Sequence, residues 1–107
     1  RTQAAAVHTE DALYAYMVDI AAESRRRPDI RLGISPRGTM ALAAMTKAHA
    51  LTEGRDYAVP DDVLAVAPYT LAHRISLSGE ARLAGKTPED VLTDLLAAVP
   101  MPTLQEE

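Results

Sequence analysis

The chain has 107 residues, no cysteine, and 15 acidic against 11 basic side chains, a formal net charge of −4. That length suits one domain with one modest core, burying about two-thirds of the surface its unfolded chain exposes. A hydrophobic fraction of 48% fits a globular class and argues against a disordered chain. The acidic balance counts against a non-specific nucleic-acid binder, and the missing cysteines exclude disulfides and thiolate chemistry. No apolar run approaches the ~18 residues of a membrane span. The lack of cysteine is compatible with a cytoplasmic location, which is the expectation here. With Arg1 rather than methionine at its start, the chain is expected to be a fragment or a processed product.

The four aromatic residues are all tyrosine, so Ala, Leu, Val, Ile and Met must build the core. That mixture suits closely packed helices better than a sheet, whose strands favour aromatic and β-branched side chains.

Residues 1–8 read as a disordered lead-in. A first helix is predicted from about Thr9 to Arg27, capped by Thr9, with Glu10 and Asp11 at its positive end. Leu13, Met17, Ile20 and Ala21 form its buried stripe. Arg25, Arg26 and Arg27 suit its negative end, and Pro28 stops it. A second helix opens at Ser35 as N-cap with Pro36 in the first turn. Ala41, Ala44, Met45, Ala48 and Leu51 are expected to face inward, and Gly54 ends the helix. Tyr57 to Val59 form a short extended piece. Pro60 opens a third helix, with Asp61 and Asp62 in its first turn and Pro68 placed to kink or split it. Residues 74–78, "RISLS", alternate and read as extended. Thr87, Pro88 and Asp90 make a capping-box start for the last helix, whose stripe is Val91, Leu92, Leu95, Leu96 and Val99. Residues 100–107 read as a loose tail. The expected architecture is all-α: a compact bundle of four to five helices over residues 9–99, with a minor two-stranded contact between the extended pieces.

The stretch "LGISPRGTM", residues 32–40, has nearly the spacing of a phosphate-binding loop. A true loop of that kind needs inward backbone N–H groups and a lysine. Pro36 has no N–H to give, and Gly38 is followed directly by Thr39. One reading is a plain helix start with a solvated arginine. The other places Arg37 beside the free N–H groups of the first turn, where a guanidinium and the helix end together attract an anionic oxygen. Gly33 and Gly38 would then allow close approach of another backbone or a ligand. One arginine cannot hold a triphosphate, so the rest of such a site must lie in another domain.

Residues 32–75, "LGISPRGTMALAAMTKAHALTEGRDYAVPDDVLAVAPYTLAHRI", resemble the C-terminal helical lid of MoxR-type AAA+ ATPases. The match is carried in order by Gly33, Ser35, Pro36 and Arg37; by Gly54, Arg55, Asp56 and Tyr57; by Pro60, Asp61, Asp62 and Val63; by Ala67 and Pro68; and by His73 and Arg74. The resemblance implies a lid that closes over ATP held, with Mg, by a separate α/β domain. Arg37 would be the sensor-2 arginine at the γ-phosphate, and Gly33, Ile34, Ser35 and Pro36 would lie near base and sugar. Many relatives carry a smaller residue where this chain has Ile34. The resemblance further implies neighbouring subunits in a ring, chaperone-like work on other proteins, and partners with von Willebrand A domains. No nucleic-acid partner and no membrane are expected, given the acidic balance and the lack of a long apolar run. The fragment alone is expected to hydrolyse nothing and to hold no cofactor.

Other polar features have plainer readings. Arg25 to Arg27 are a solvated helix end, with a subunit or substrate contact as the alternative. Asp61/Asp62 and Glu89/Asp90 are partners of helix dipoles, not acid–base dyads. His8, His49 and His73 lack metal-ligand spacing, and His49 is expected at the surface. His73 and Arg74 serve either the lid's fold or a neighbouring subunit. Tyr57 is expected in the core. Two rival functions stay open: a histone-fold-like or helix-turn-helix DNA-binding module, and a helical protein-interaction domain.

Overall fold

Short polar side chains and prolines set where the helices of this computed structural model begin. It describes residues 7–103. Ser35 caps α2 (Pro36–Thr52) by accepting the N–H of Gly38, with Pro36 at the first helical position. Thr87 and Asp90 form a reciprocal capping box on α5 (Pro88–Ala98). Pro60 opens α3 (Pro60–Leu71). Such caps satisfy backbone N–H groups that the helix itself cannot, at about 1 kcal/mol each. Gly54, at φ +80°, ends the turn after α2 in a backbone region that side chains avoid.

The first helix departs from expectation. α1 spans Asp11–Ser24, not residues 9–27, and Glu10 is its N-cap without a side-chain cap bond. Thr9 does not cap: its hydroxyl is buried without a partner. The cause lies just upstream. His8 pairs with the segment before α3, donating to Asp56 O at 2.9 Å and accepting from Ala58 N at 2.9 Å. Thr9 is thereby drawn into an extended approach. Val7 is buried in the core, so the last two residues of the expected lead-in belong to the fold. Residues 1–6 and 104–107, the rest of the lead-in and the end of the tail, lie outside the described residues.

Beyond α1, β1 (Ile30–Leu32) pairs antiparallel with β2 (Ser76–Leu77), Ile30 opposite Leu77 and Leu32 opposite Ser76, with an irregularity between. The two-stranded contact is present, but "RISLS" pairs with "IRL" and not with Tyr57–Val59. Those residues instead approach His8, and Tyr57 is half exposed, not core. Pro68 does not split α3. The helix runs three residues past it and tightens into a 3₁₀ turn over Ala72–Arg74. The fifth helix arises elsewhere, as α4 (Gly79–Leu83), which Ser78 caps.

The core gathers Leu13, Met17 and Ile20 from α1, Leu42 from α2, Val63 and Leu71 from α3, and Val91, Leu92 and Leu95 from α5. Fully burying each such side chain contributes about 1.5–3 kcal/mol. The stripes predicted for α1 and α5 hold, with Leu96 at the margin. That of α2 does not. Its buried row is Gly38, Leu42, Thr46 and Ala50, while Ala44, Met45 and Leu51 are exposed. No helix of the described residues is long and apolar enough to cross a membrane.

Candidate functional site

The turn Gly33–Arg37 joins the β-ribbon to α2 and is held from behind by the end of α1. Ser24 is fully buried, donates to Ala21 O at 2.6 Å, and accepts the N–H of Ile34 at 2.9 Å. Arg25 donates through Nη1 to Ile34 O at 2.6 Å. Both backbone groups of Ile34 are therefore partnered, and its side chain is only 1% exposed. Ile34 anchors the turn to the core. Gly33 explains how two segments come so close: a Cβ there would lie 2.7 Å from Ser24 Oγ and 3.1 Å from Arg25 N. The close approach that this glycine permits is that of its own chain's backbone.

Ser35 and Pro36 are exposed and begin α2. Arg37 follows in its first turn, exposed, with no hydrogen bond or ion pair among the described residues. Gly38 faces inward. A Cβ on it would sit 3.1 Å from Ile34 Cγ2 and 3.5 Å from Arg74 Cδ, so the stem of Arg74 runs across the start of the helix that carries Arg37. A cleft of about 510 Å³ lies along this turn, lined by Arg25, Arg31 and Arg74 together with Ile30 and Leu32–Pro36. No carboxylate lines it. In a chain of net charge −4, this is a local excess of positive charge beside a helix start.

The flanking arginines divide by use. Arg26 pairs with Glu23 at 2.8 Å on the surface. Arg27 grips Asp29 through two bonds of 2.9 Å, a planar fork that suits a carboxylate. Hydrogen bonding and charge from Arg27 hold the Asp29 carboxyl below its ordinary range despite opposing desolvation. Asp29 O in turn accepts the N–H of Ser78 at 2.9 Å, which locks the ribbon. The reading of Arg25–Arg27 as a solvated end thus holds for Arg26 alone. Arg25 and Arg27 brace the turn and the ribbon.

A second polar centre lies at the other end of α2. Asp62 is fully buried and accepts from Arg55 Nη1 at 2.7 Å, Arg55 Nη2 at 2.9 Å, His49 Nδ1 at 2.7 Å and Val59 N at 2.8 Å. Asp62 is therefore more than a dipole partner, and His49 is not a free surface side chain. Asp61, Glu89 and Asp90 remain exposed at helix starts. The signal for this centre was the order of "GRDY" and "PDDV", which brings Arg55 seven residues before Asp62. Among the described residues no group of three His, Asp or Glu could hold a metal ion.

A five-helix domain with a small antiparallel ribbon, whose longest helix carries an exposed arginine in its first turn, is by class an all-α module. The AAA lid domain family matches residues 22–95, and this chain belongs to that family, in its MoxR-type branch. The chain is 40% identical over 96 residues to the uncharacterized protein YeaC of Bacillus subtilis, covering 90% of this chain and 30% of that one. It is 37% identical over 73 residues to chaperone MoxR1 of Mycobacterium tuberculosis, covering 68% of this chain and 19% of that protein. With protein MoxR of Methylorubrum extorquens it shares 36% identity over 113 residues, 91% of this chain and 32% of that one. A crystal structure of a candidate ATPase from Cytophaga hutchinsonii superposes with a TM-score of 0.88 at 25% identity, over 95% of this chain and 34% of that chain. The chain thus spans between 19% and 34% of the length of these relatives.

Proposed function

We propose that this domain is the nucleotide-sensing lid of an AAA+ ATPase and that Arg37 is its sensor-2 residue, reading the terminal phosphate of ATP. One observation carries the reading: Arg37 is exposed in the first turn of a 17-residue helix, unpaired among the described residues, beside a cleft lined by arginines and no acid. The helix dipole adds to the attraction for an anion, although Pro36 has no N–H and Ser35 already takes that of Gly38.

The residues present fit the phosphates of ATP and not its metal. Exposed guanidinium groups bind phosphate oxygens in a planar fork. Mg would be held by the α/β domain of the parent chain, as the lid resemblance implies. ATP supplies the phosphoryl group that the parent transfers to water. Arg37 offsets charge that develops on the transferring group, and Gly33–Pro36 border the base and sugar. Loss of the terminal phosphate removes the anion that Arg37 holds. The lid then loosens, and the change of angle passes to neighbouring subunits of a ring. MoxR1 is named a chaperone, which supports chaperone-like work for the parent here; a cytoplasmic setting and von Willebrand A domain partners are what the MoxR-type resemblance implies. The domain alone carries out no chemistry.

The test is Arg37→Ala in the full-length protein, with steady-state ATP hydrolysis measured. A loss of about a hundredfold is expected if a developing charge is left unsupported. Wild-type turnover would remove Arg37 from the site.

A further inference from the structure

The cleft beside Arg37 holds more positive charge than the sensor-2 role uses. Arg31 leaves the β-ribbon and Arg74 the 3₁₀ turn after α3, and both are exposed. Neither has a carboxylate partner among the described residues, although acids outnumber bases in the chain. Arg25 shows the contrast: its guanidinium is occupied by Ile34 O. Arginines gathered around one cleft repel one another, and within the ~8 Å over which salt leaves charges unscreened that repulsion is relieved by an acid or by an anionic ligand. No acid lines this cleft. The stem of Arg74 also reaches the start of α2: its Cδ lies 3.5 Å from where a Cβ on Gly38 would stand, an ordinary contact distance.

We infer that Arg74, with Arg31 beside it, is a second phosphate-binding element of this lid, holding the polyphosphate in the cleft while Arg37 acts on the terminal group. This rests on the nucleotide reading above and adds a division of labour to it. Arg74 binds whichever phosphates are present, before and after hydrolysis. Its contribution therefore falls on affinity for both ATP and ADP, and little of it on turnover once nucleotide is bound.

The experiment uses the full-length protein and titrates ATP, ADP and adenosine into wild type, Arg74→Gln, Arg74→Lys, Arg31→Gln and Arg82→Gln. Arg82 is exposed on α4 and lines no part of this cleft, so its loss makes the same change in net charge elsewhere. Losing one charge-assisted phosphate contact weakens binding about tenfold. Arg74→Gln is expected to show that loss for ATP and ADP alike, with unchanged adenosine binding and kcat within about twofold at saturating ATP. Lysine keeps the charge without the fork and should recover part of the affinity. Arg31→Gln is expected to show a smaller loss of the same kind. Arg31 is exposed on a short edge strand, so that variant keeps the question open to measurement even if position 74 proves intolerant. Wild-type ATP affinity in both Arg74→Gln and Arg31→Gln overturns the inference. So does an equal loss in Arg82→Gln, or a loss that adenosine shares. A failed sensor-2 reading looks different: Arg37→Ala would then hydrolyse ATP normally, whatever these affinities do.

Discussion

Burying Asp62 takes a full negative charge out of water, and three donor residues stand where the water was. Arg55, His49 and the N–H of Val59 supply four contacts between 2.7 and 2.9 Å. Burial pushes the Asp62 carboxyl up, but hydrogen bonds from Arg55, Val59 and His49 and the charge of Arg55 push it further down, to a net value below the ordinary one. The sign of the pH effect follows. A carboxyl with a depressed folded-state pKa contributes stability that is fully present above the unfolded value of ~3.9 and is lost as pH falls through the lower folded value. Asp62→Asn keeps the shape and removes the charge, leaving Arg55 and His49 facing an amide. A buried pair broken from one side costs about 3 kcal/mol, or roughly 12 °C or more in Tm for a domain of this size. Thermal unfolding of both proteins between pH 7 and pH 3 tests this. The variant should start lower and lose less on acidification, because the linkage of Asp62 is gone and that of Asp29, held low by Arg27, remains. Parallel pH curves for the two proteins would show that Asp62 carries no special charge linkage.

At the scale of elements, the helix starts were legible because each depends on a few neighbouring residues. Ser35–Pro36, Thr87–Pro88–Asp90 and Pro60 act through local backbone chemistry, and each begins a helix where expected. The inward face of α2 was not legible. Between Ala41 and Leu51 the apolar residues Ala41, Leu42, Ala43, Ala44, Met45, Ala48, Ala50 and Leu51 point in every direction round the helix, so periodicity selects no face. Packing against α3 chooses the row through Gly38, Leu42, Thr46 and Ala50, and small residues allow that contact to be close. The brace behind Gly33 was hidden for a similar reason. Ser24 and Arg25 meet Ile34 across ten and nine residues, and nothing in the local pattern of "ESRRRP" announces it. The glycines give a direct test. At Gly33 a methyl group would fall 2.7 Å from Ser24 Oγ and 2.9 Å from Arg25 Cγ, with Arg25 N 3.1 Å away. Gly33→Ala should destabilise by about 1–3 kcal/mol, the cost of overpacking. At Gly79 nothing lies within 4 Å of the added Cβ, and the residue is in the first turn of α4. Gly79→Ala should be neutral or stabilise by up to about 1 kcal/mol. Chemical denaturation of the two variants against wild type measures both. Equal effects would mean that the Ser24–Gly33 contact constrains nothing.

For the molecule as a whole, charge distribution decides between a small anion and a long one. The described fold measures 46 × 26 × 21 Å, so a DNA duplex laid on it covers most of one side and meets the overall charge of −4. A polyphosphate is smaller than the cleft beside the Gly33–Arg37 turn. At physiological salt, charges beyond ~8 Å are largely screened, and the charged residues that line this cleft are arginines. Arg31 and Arg74 in the cleft, with Arg37 beside it, can thus attract a nucleotide while the surface around them disfavours a polyanion. Duplex binding draws its affinity from many phosphate contacts at once, and the rest of this surface offers a duplex more acids than bases. The isolated domain is accordingly expected to leave a short duplex unshifted in gel retardation at micromolar protein and ~0.1 M salt. Doubling or halving the salt should not change that result. A shift that grows as salt is lowered, and that disappears in the Arg31→Gln and Arg74→Gln variants, would instead assign the basic cleft to nucleic acid and take it away from ATP.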